Sequence, residues 1–128
     1  MWNVTEEERK LVEEMGGFVF DEAGTAPEAA GFSLCITDDC MSPYIRPGQK
    51  VYVSPVQKLS EFEVGIFYLD GKVLCRQWCE DLAGTLHLLA ADPGRADANI
   101  SLSRQERGRC LCLGRVLLDK TPPAPLYF

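Results

Sequence analysis

Six thiols are the first side chains of this sequence that could do chemistry. Cys35, Cys40, Cys75, Cys79, Cys110 and Cys112 share the chain with a single histidine, His87. Thiols at such positions do one of four things: pair as disulfides, ligate a metal, act as nucleophiles or pack as small hydrophobes. A structural zinc site favours C-x2-C pairs on knuckle turns. The pairs here are C-x3-C (Cys75, Cys79) and C-x-C (Cys110, Cys112), both inside apolar runs, a poor fit to zinc. The expectation is free thiols and no metal or cofactor. His87 lies in the run Leu86-His87-Leu88-Leu89, where it reads as an outward or hydrogen-bonded strand residue rather than a catalytic one.

The elements that must hold these residues are mostly strands. Phe32, Leu34 and Ile36 alternate with Ser33, Cys35 and Thr37, the period of a half-buried strand. Asp38-Asp39 interrupts it, and Met41 to Ile45 fits one helical turn. Arg46-Pro47-Gly48-Gln49 fits a type II turn, with proline presetting the bend and glycine taking positive φ. Val51 and Val53 lie on one face of the next strand. Residues 64–69 and 72–78 flank Asp70-Gly71, a strong hairpin signal. Further strands are expected over 86–90, 100–102 and 109–118, with a loop over 91–99 around Pro93-Gly94. Upstream, Thr5-Glu6-Glu7-Glu8 is a capping box and Gly16-Gly17 a stop, which predicts one helix over 5–15. The chain divides into helix and linker (1–31), a mainly β body (32–118) and a Pro-rich tail (119–128).

Charge narrows the function classes. The formal net charge is -6, and residues 1–31 carry eight acids against two bases, leaving eleven of each in the remainder. An acidic lead on a neutral body gives a phosphate backbone nothing to grip, so no direct nucleic-acid binding is expected. No apolar run approaches the ~20 residues of a membrane span. The polar, acidic start is unlike a secretory signal. A cytoplasmic protein with reduced thiols is the expectation.

Residues 32–53, FSLCITDDCMSPYIRPGQKVYV, resemble a family segment. In it a strand leads into G-D-S-M-x-P, then a turn, then a second strand. That motif carries the nucleophilic serine of LexA-like and phage-type repressors, UmuD-type proteins and related signal peptidases. Asp39 matches the acid, Met41 the methionine, Pro43 the proline and Gly48 the turn glycine. Asp38 replaces the family glycine, Cys40 stands where the serine belongs, and Ser42 lies on the wrong side of Met41 to be that serine. The hairpin EVGIFYLDGKVLCRQW resembles the one that carries the family's catalytic lysine; aligned on Gly71, that position is Arg76. The resemblance extends over about residues 32–118. It implies a mainly β, LexA/signal-peptidase-like coiled sheet and an ancestral serine–lysine peptidase site at Cys40 and Arg76.

Both substitutions bear on the chemistry. The family mechanism needs a base, and a buried lysine can lose its proton; a guanidinium cannot. A thiol needs less activation than a hydroxyl, and a neighbouring guanidinium favours the thiolate. A cysteine-dependent or self-processing peptidase at Cys40 is therefore the alternative, with a thiol redox sensor behind it. Self-cleaving relatives cut an Ala-Gly or Cys-Gly bond well upstream of the nucleophile. Ala30-Gly31 lies about ten residues before Cys40 and abuts the leading strand, too close to loop back. The resemblance thus implies a catalytically inactive peptidase-type domain in a repressor-like regulator. It would act by forming a homodimer, or a heterodimer with an intact repressor.

Overall fold

The computed structural model describes residues 18–19, 31–56, 58–118, 120 and 122–123. The predicted helix over 5–15 lies outside them, as does most of the linker and of the tail. Eight strands form one antiparallel sheet: β1 (Phe18–Val19), β2 (Phe32–Cys35), β3 (Lys50–Ser54), β4 (Val64–Leu69), β5 (Lys72–Glu80), β6 (Leu86–Leu89), β7 (Ile100–Leu102) and β8 (Cys110–Leu117). Their spatial order is β1-β2-β3-β8-β4-β5-β6-β7. The mainly β expectation holds. The helices among the described residues are two short 3₁₀ segments, Pro93–Ala98 and Arg107–Arg109. Phe18–Val19, read from the sequence as linker, pairs with Leu34 and Ser33.

The β4–β5 hairpin shows how local sequence sets register. Asp70 and Gly71 have φ of 49° and 82°, the two positive angles of a type I′ turn. The register then runs from Leu69↔Lys72 to Val64↔Gln77. Strand β8, last in sequence, inserts between β3 and β4. Its pairing shifts between Ile66 and Phe67, whose partners are Gly114 and Cys112. That bulge leaves Leu113 as the extra residue and reverses the inward parity of the strand. Leu111 and Leu113 face one apolar cluster before it, and Val116 and Leu118 face the same cluster after it.

Two clusters cover opposite faces of the sheet. The first contains Phe32, Leu34, Ile36, Met41, Ile45, Val51, Val53, Val64, Ile66, Cys75, Leu113 and Val116. The second contains Leu59, Phe67, Leu69, Leu86, Leu88 and Leu102, with Trp78, Cys110 and Cys112 packed against it. Strand β4 sends Val64 and Ile66 to one and Phe67 and Leu69 to the other, so it is buried on both sides. The half-buried picture of β2 is corrected on one point: Ser33, expected on the solvent side, is fully buried, while Cys35 is exposed. The alternation marked one buried face where part of the strand has two.

Candidate functional site

After β2 the chain turns through 38–45. Ile45 N donates to Met41 O at 2.9 Å, the single helical turn expected there. Met41 and Ile45 are fully buried in the first cluster, each contributing roughly 1.5–3 kcal/mol of burial. This apolar anchor fixes where residues 38–40 stand. Pro43 and Gly48 are exposed. Gly48 has φ of 85°, and Gln49 N donates to Arg46 O at 3.0 Å, which closes the predicted turn. Pro43 and Gly48 shape the backbone around the site, and Met41 anchors it.

Cys40 and Arg76 both meet Asp38. Both are buried, with relative exposures of 1% and 4%. Asp38 links them: its Oδ1 accepts from Cys40 N at 3.2 Å and its Oδ2 faces Arg76 Nη1 at 3.4 Å. The same Arg76 nitrogen donates to Cys75 O at 2.8 Å, and Nε reaches Ala98 O at 3.5 Å. Asp39 forms an ion pair with Arg95, whose Nε also lies 3.6 Å from Asp97. Asp92 N donates to Cys40 O at 3.1 Å. The turn is therefore tied to β5 through Asp38 and to the 92–98 loop through Asp39 and the Cys40 carbonyl.

This environment does not make a thiolate. Burial raises the Cys40 thiol above its ordinary value of 9.0; Arg76 and Arg95 pull it down, while Asp38 and Asp39 push it up. The net direction is upward, because the two carboxylates offset the guanidiniums and desolvation remains. Cys75, fully enclosed next to Arg76, is pushed up to about 12 by burial. The charges acting on the Cys40 thiol belong to arginines and aspartates, with no lysine among them. Lys72 is exposed. Both carboxylates that could serve as bases are already engaged with guanidiniums.

The other sequence candidates separate from this site. His87 sits on β6 with Nδ1 2.9 Å from Ser101 Oγ and Nε2 3.0 Å from Asp81 Oδ2. All six cysteines are free. Among the described residues no group of three or more metal-ligating side chains converges. No helix among them is long and apolar enough to cross a membrane. Gly31 N donates to Val53 O at 2.8 Å, and a Cβ there would lie 2.7 Å from the Pro55 ring. The glycine of the Ala30-Gly31 pair is thus held against β3.

Sequence reading missed three features. Asp38 reads from the sequence as a strand break and a lost glycine, not as the link between Cys40 and Arg76. Arg95 and Asp39 are 56 residues apart, and nothing local pairs them. Gln77 is fully buried, and its Nε2 donates to Phe62 O at 3.0 Å, Pro122 O at 2.8 Å and Pro123 O at 3.3 Å. Adjacent polar residues, Arg76-Gln77, inside the run LCRQWC were the available signal for a buried polar seam. Compared with known families and curated proteins, the chain matches no family model and has no significant curated match.

Proposed function

We propose that this chain is a LexA-like, peptidase-type domain that has lost proteolysis and works as a regulatory and dimerisation module of a repressor-like regulator. One observation carries the reading. At the position the resemblance gives to the catalytic lysine stands Arg76, spent on holding Asp38 and two backbone carbonyls. A permanently charged group with that bonding pattern braces the turn and takes no proton from Cys40. The raised thiol and the tethered Gly31 support the same reading from the nucleophile and substrate sides. The partner is a second copy of the chain or an intact repressor. The cysteine-peptidase alternative requires a thiolate at Cys40, and its surroundings work against one.

Two measurements test the proposal. Intact mass after long incubation from neutral to alkaline pH is expected to stay constant; loss of a peptide that vanishes in Cys40→Ala overturns the inactive reading. Light scattering at micromolar concentration is expected to give a dimer, and a strict monomer at every concentration overturns the pairing role.

A further inference from the structure

A second constellation lies on the β6–β7 end of the sheet, and it does not depend on the reading of Cys40 and Arg76. His87 and Ser101 face each other across the β6–β7 ladder, with Nδ1 and Oγ 2.9 Å apart. On the other side of the ring, Nε2 is 3.0 Å from Asp81 Oδ2. Asp81 is held from three directions. It begins the turn between β5 and β6, and its Oδ1 accepts from Ala83 N at 2.9 Å and Thr85 N at 3.0 Å. Only Oδ2 is left for the ring, so the turn backbone fixes where the carboxylate points.

From this geometry we infer that Ser101, His87 and Asp81 form a serine nucleophile relay that transfers acyl groups from carboxylic esters. An ionised Asp81 accepts a proton only from Nε2–H, which fixes the tautomer and leaves the Nδ1 lone pair toward the serine hydroxyl. Ser101 and Asp81 are both exposed, the Asp81 side chain 39%, while the His87 ring between them is 16% exposed. The nucleophile is thus open to substrate and its base is shielded. Asp81 is held below its ordinary value, chiefly by the hydrogen bond from His87, as an orienting carboxylate should be. Strand β7 ends the sheet, and among the described residues no strand pairs with its outer edge. Edge backbone N–H groups are the donor type an oxyanion uses.

The step balances without a co-reactant beyond water. Ser101 Oγ adds to the ester carbonyl carbon as its proton passes to His87 Nδ1. The C–O bond to the alkoxide breaks, and the alkoxide leaves as the alcohol with that proton. Water then repeats the sequence on the acyl-serine, releasing the carboxylic acid and restoring the hydroxyl.

A fluorophosphonate reports on this relay without interference from the six thiols, because it forms a P–O bond to an activated serine and expels fluoride. The full chain is incubated with the probe and the adduct mapped by peptide mass. The expected result is a single adduct on Ser101, absent from Ser101→Ala and from protein unfolded in urea. His87→Gln and Asp81→Asn, with circular dichroism unchanged, should slow labelling about 100-fold, the low end of a general-base contribution. No adduct on the folded chain overturns the inference. So does an adduct whose rate is the same in His87→Gln, since the pair is then only a cross-strand contact.

Discussion

Arg76 and Asp38 stand 38 residues apart in sequence and meet at 3.4 Å, one almost wholly enclosed and the other partly open to water. The asymmetry decides which deletion hurts. Removing the carboxylate leaves a buried guanidinium without its counter-charge; removing a partner from an open pair leaves two solvated ions. Asp38→Ala is expected to cost about 2 kcal/mol, discounted because Asp38 itself is part-exposed. Asp97→Ala, at the outer end of the Arg95 pair where its side chain is 75% exposed, should stay within about 0.5 kcal/mol. Urea midpoints of the two variants check this, and equal shifts would remove the bracing role given to Arg76.

The six thiols should differ in reactivity in an order the fold dictates. The thiolate is the nucleophile, so a raised thiol reacts slowly and burial slows it further. Cys35 is exposed and should alkylate first. Cys40 is buried and raised, and Cys75 is enclosed and pushed to about 12; both should react last at neutral pH. Brief iodoacetamide treatment followed by peptide mapping gives the order. Cys40 reacting ahead of Cys35 would return it to the role of nucleophile or redox sensor.

The parts legible in the sequence are those governed by short-range rules. Asp70-Gly71 announces a hairpin because both residues tolerate positive φ. Met41 to Ile45 and the turn through Gly48 follow from local spacing and backbone preference. The link from Cys40 through Asp38 to Arg76 is not legible locally, since no periodicity joins position 40 to position 76. The Leu113 bulge was not readable because the run CLCLGRVLL is apolar on both parities, as befits a strand buried on both faces. The Asp39–Arg95 pair and the Gln77 seam depend on where distant loops return, which a single chain of residue types does not encode locally.

Gln77 offers a direct test of that seam. Its Nε2 satisfies carbonyls of Phe62, Pro122 and Pro123, while Oε1 has no described partner. Prolines donate no backbone N–H, so Pro122 and Pro123 meet the sheet only as acceptors. Gln77→Met keeps the volume but strands those carbonyls, at an expected cost of about 1–3 kcal/mol. Carboxypeptidase should then trim past Pro123 faster than in the unaltered chain; unchanged trimming would show that Gln77 does not hold the tail.

Two glycines should separate backbone strain from steric closure. Gly71 has φ of 82° and open space around a built Cβ, so Gly71→Ala should cost about 1 kcal/mol. Gly114 faces β3, where a Cβ would lie 2.5 Å from both Ser54 O and Val53 Cγ1. Backbone cannot yield as a side-chain tip does, so β8 would have to move away from β3. Gly114→Ala should cost about 2–3 kcal/mol or more, read as a lower thermal midpoint. A cost no larger than that of Gly71→Ala would mean that the β3–β8 contact is looser than its register implies.

Acid should weaken the fold partly through Asp81. Its carboxyl sits below the ordinary value of 3.8 because His87, Thr85 and Ala83 hydrogen-bond the charged form. In the unfolded chain the same group takes up a proton at the ordinary value, before the folded one does. The stabilisation is therefore complete above the unfolded value and fades as pH falls through the lower folded one. Glu106, lowered by its hydrogen bonds to Ser103, acts in the same sense. Asp81→Asn should flatten the acid limb of a plot of thermal midpoint against pH while shifting the neutral-pH midpoint downward. A variant whose acid limb runs parallel to that of the unaltered protein would mean that the β5–β6 turn does not hold Asp81 ionised, and the orientation of the His87 ring would then have no fixed source.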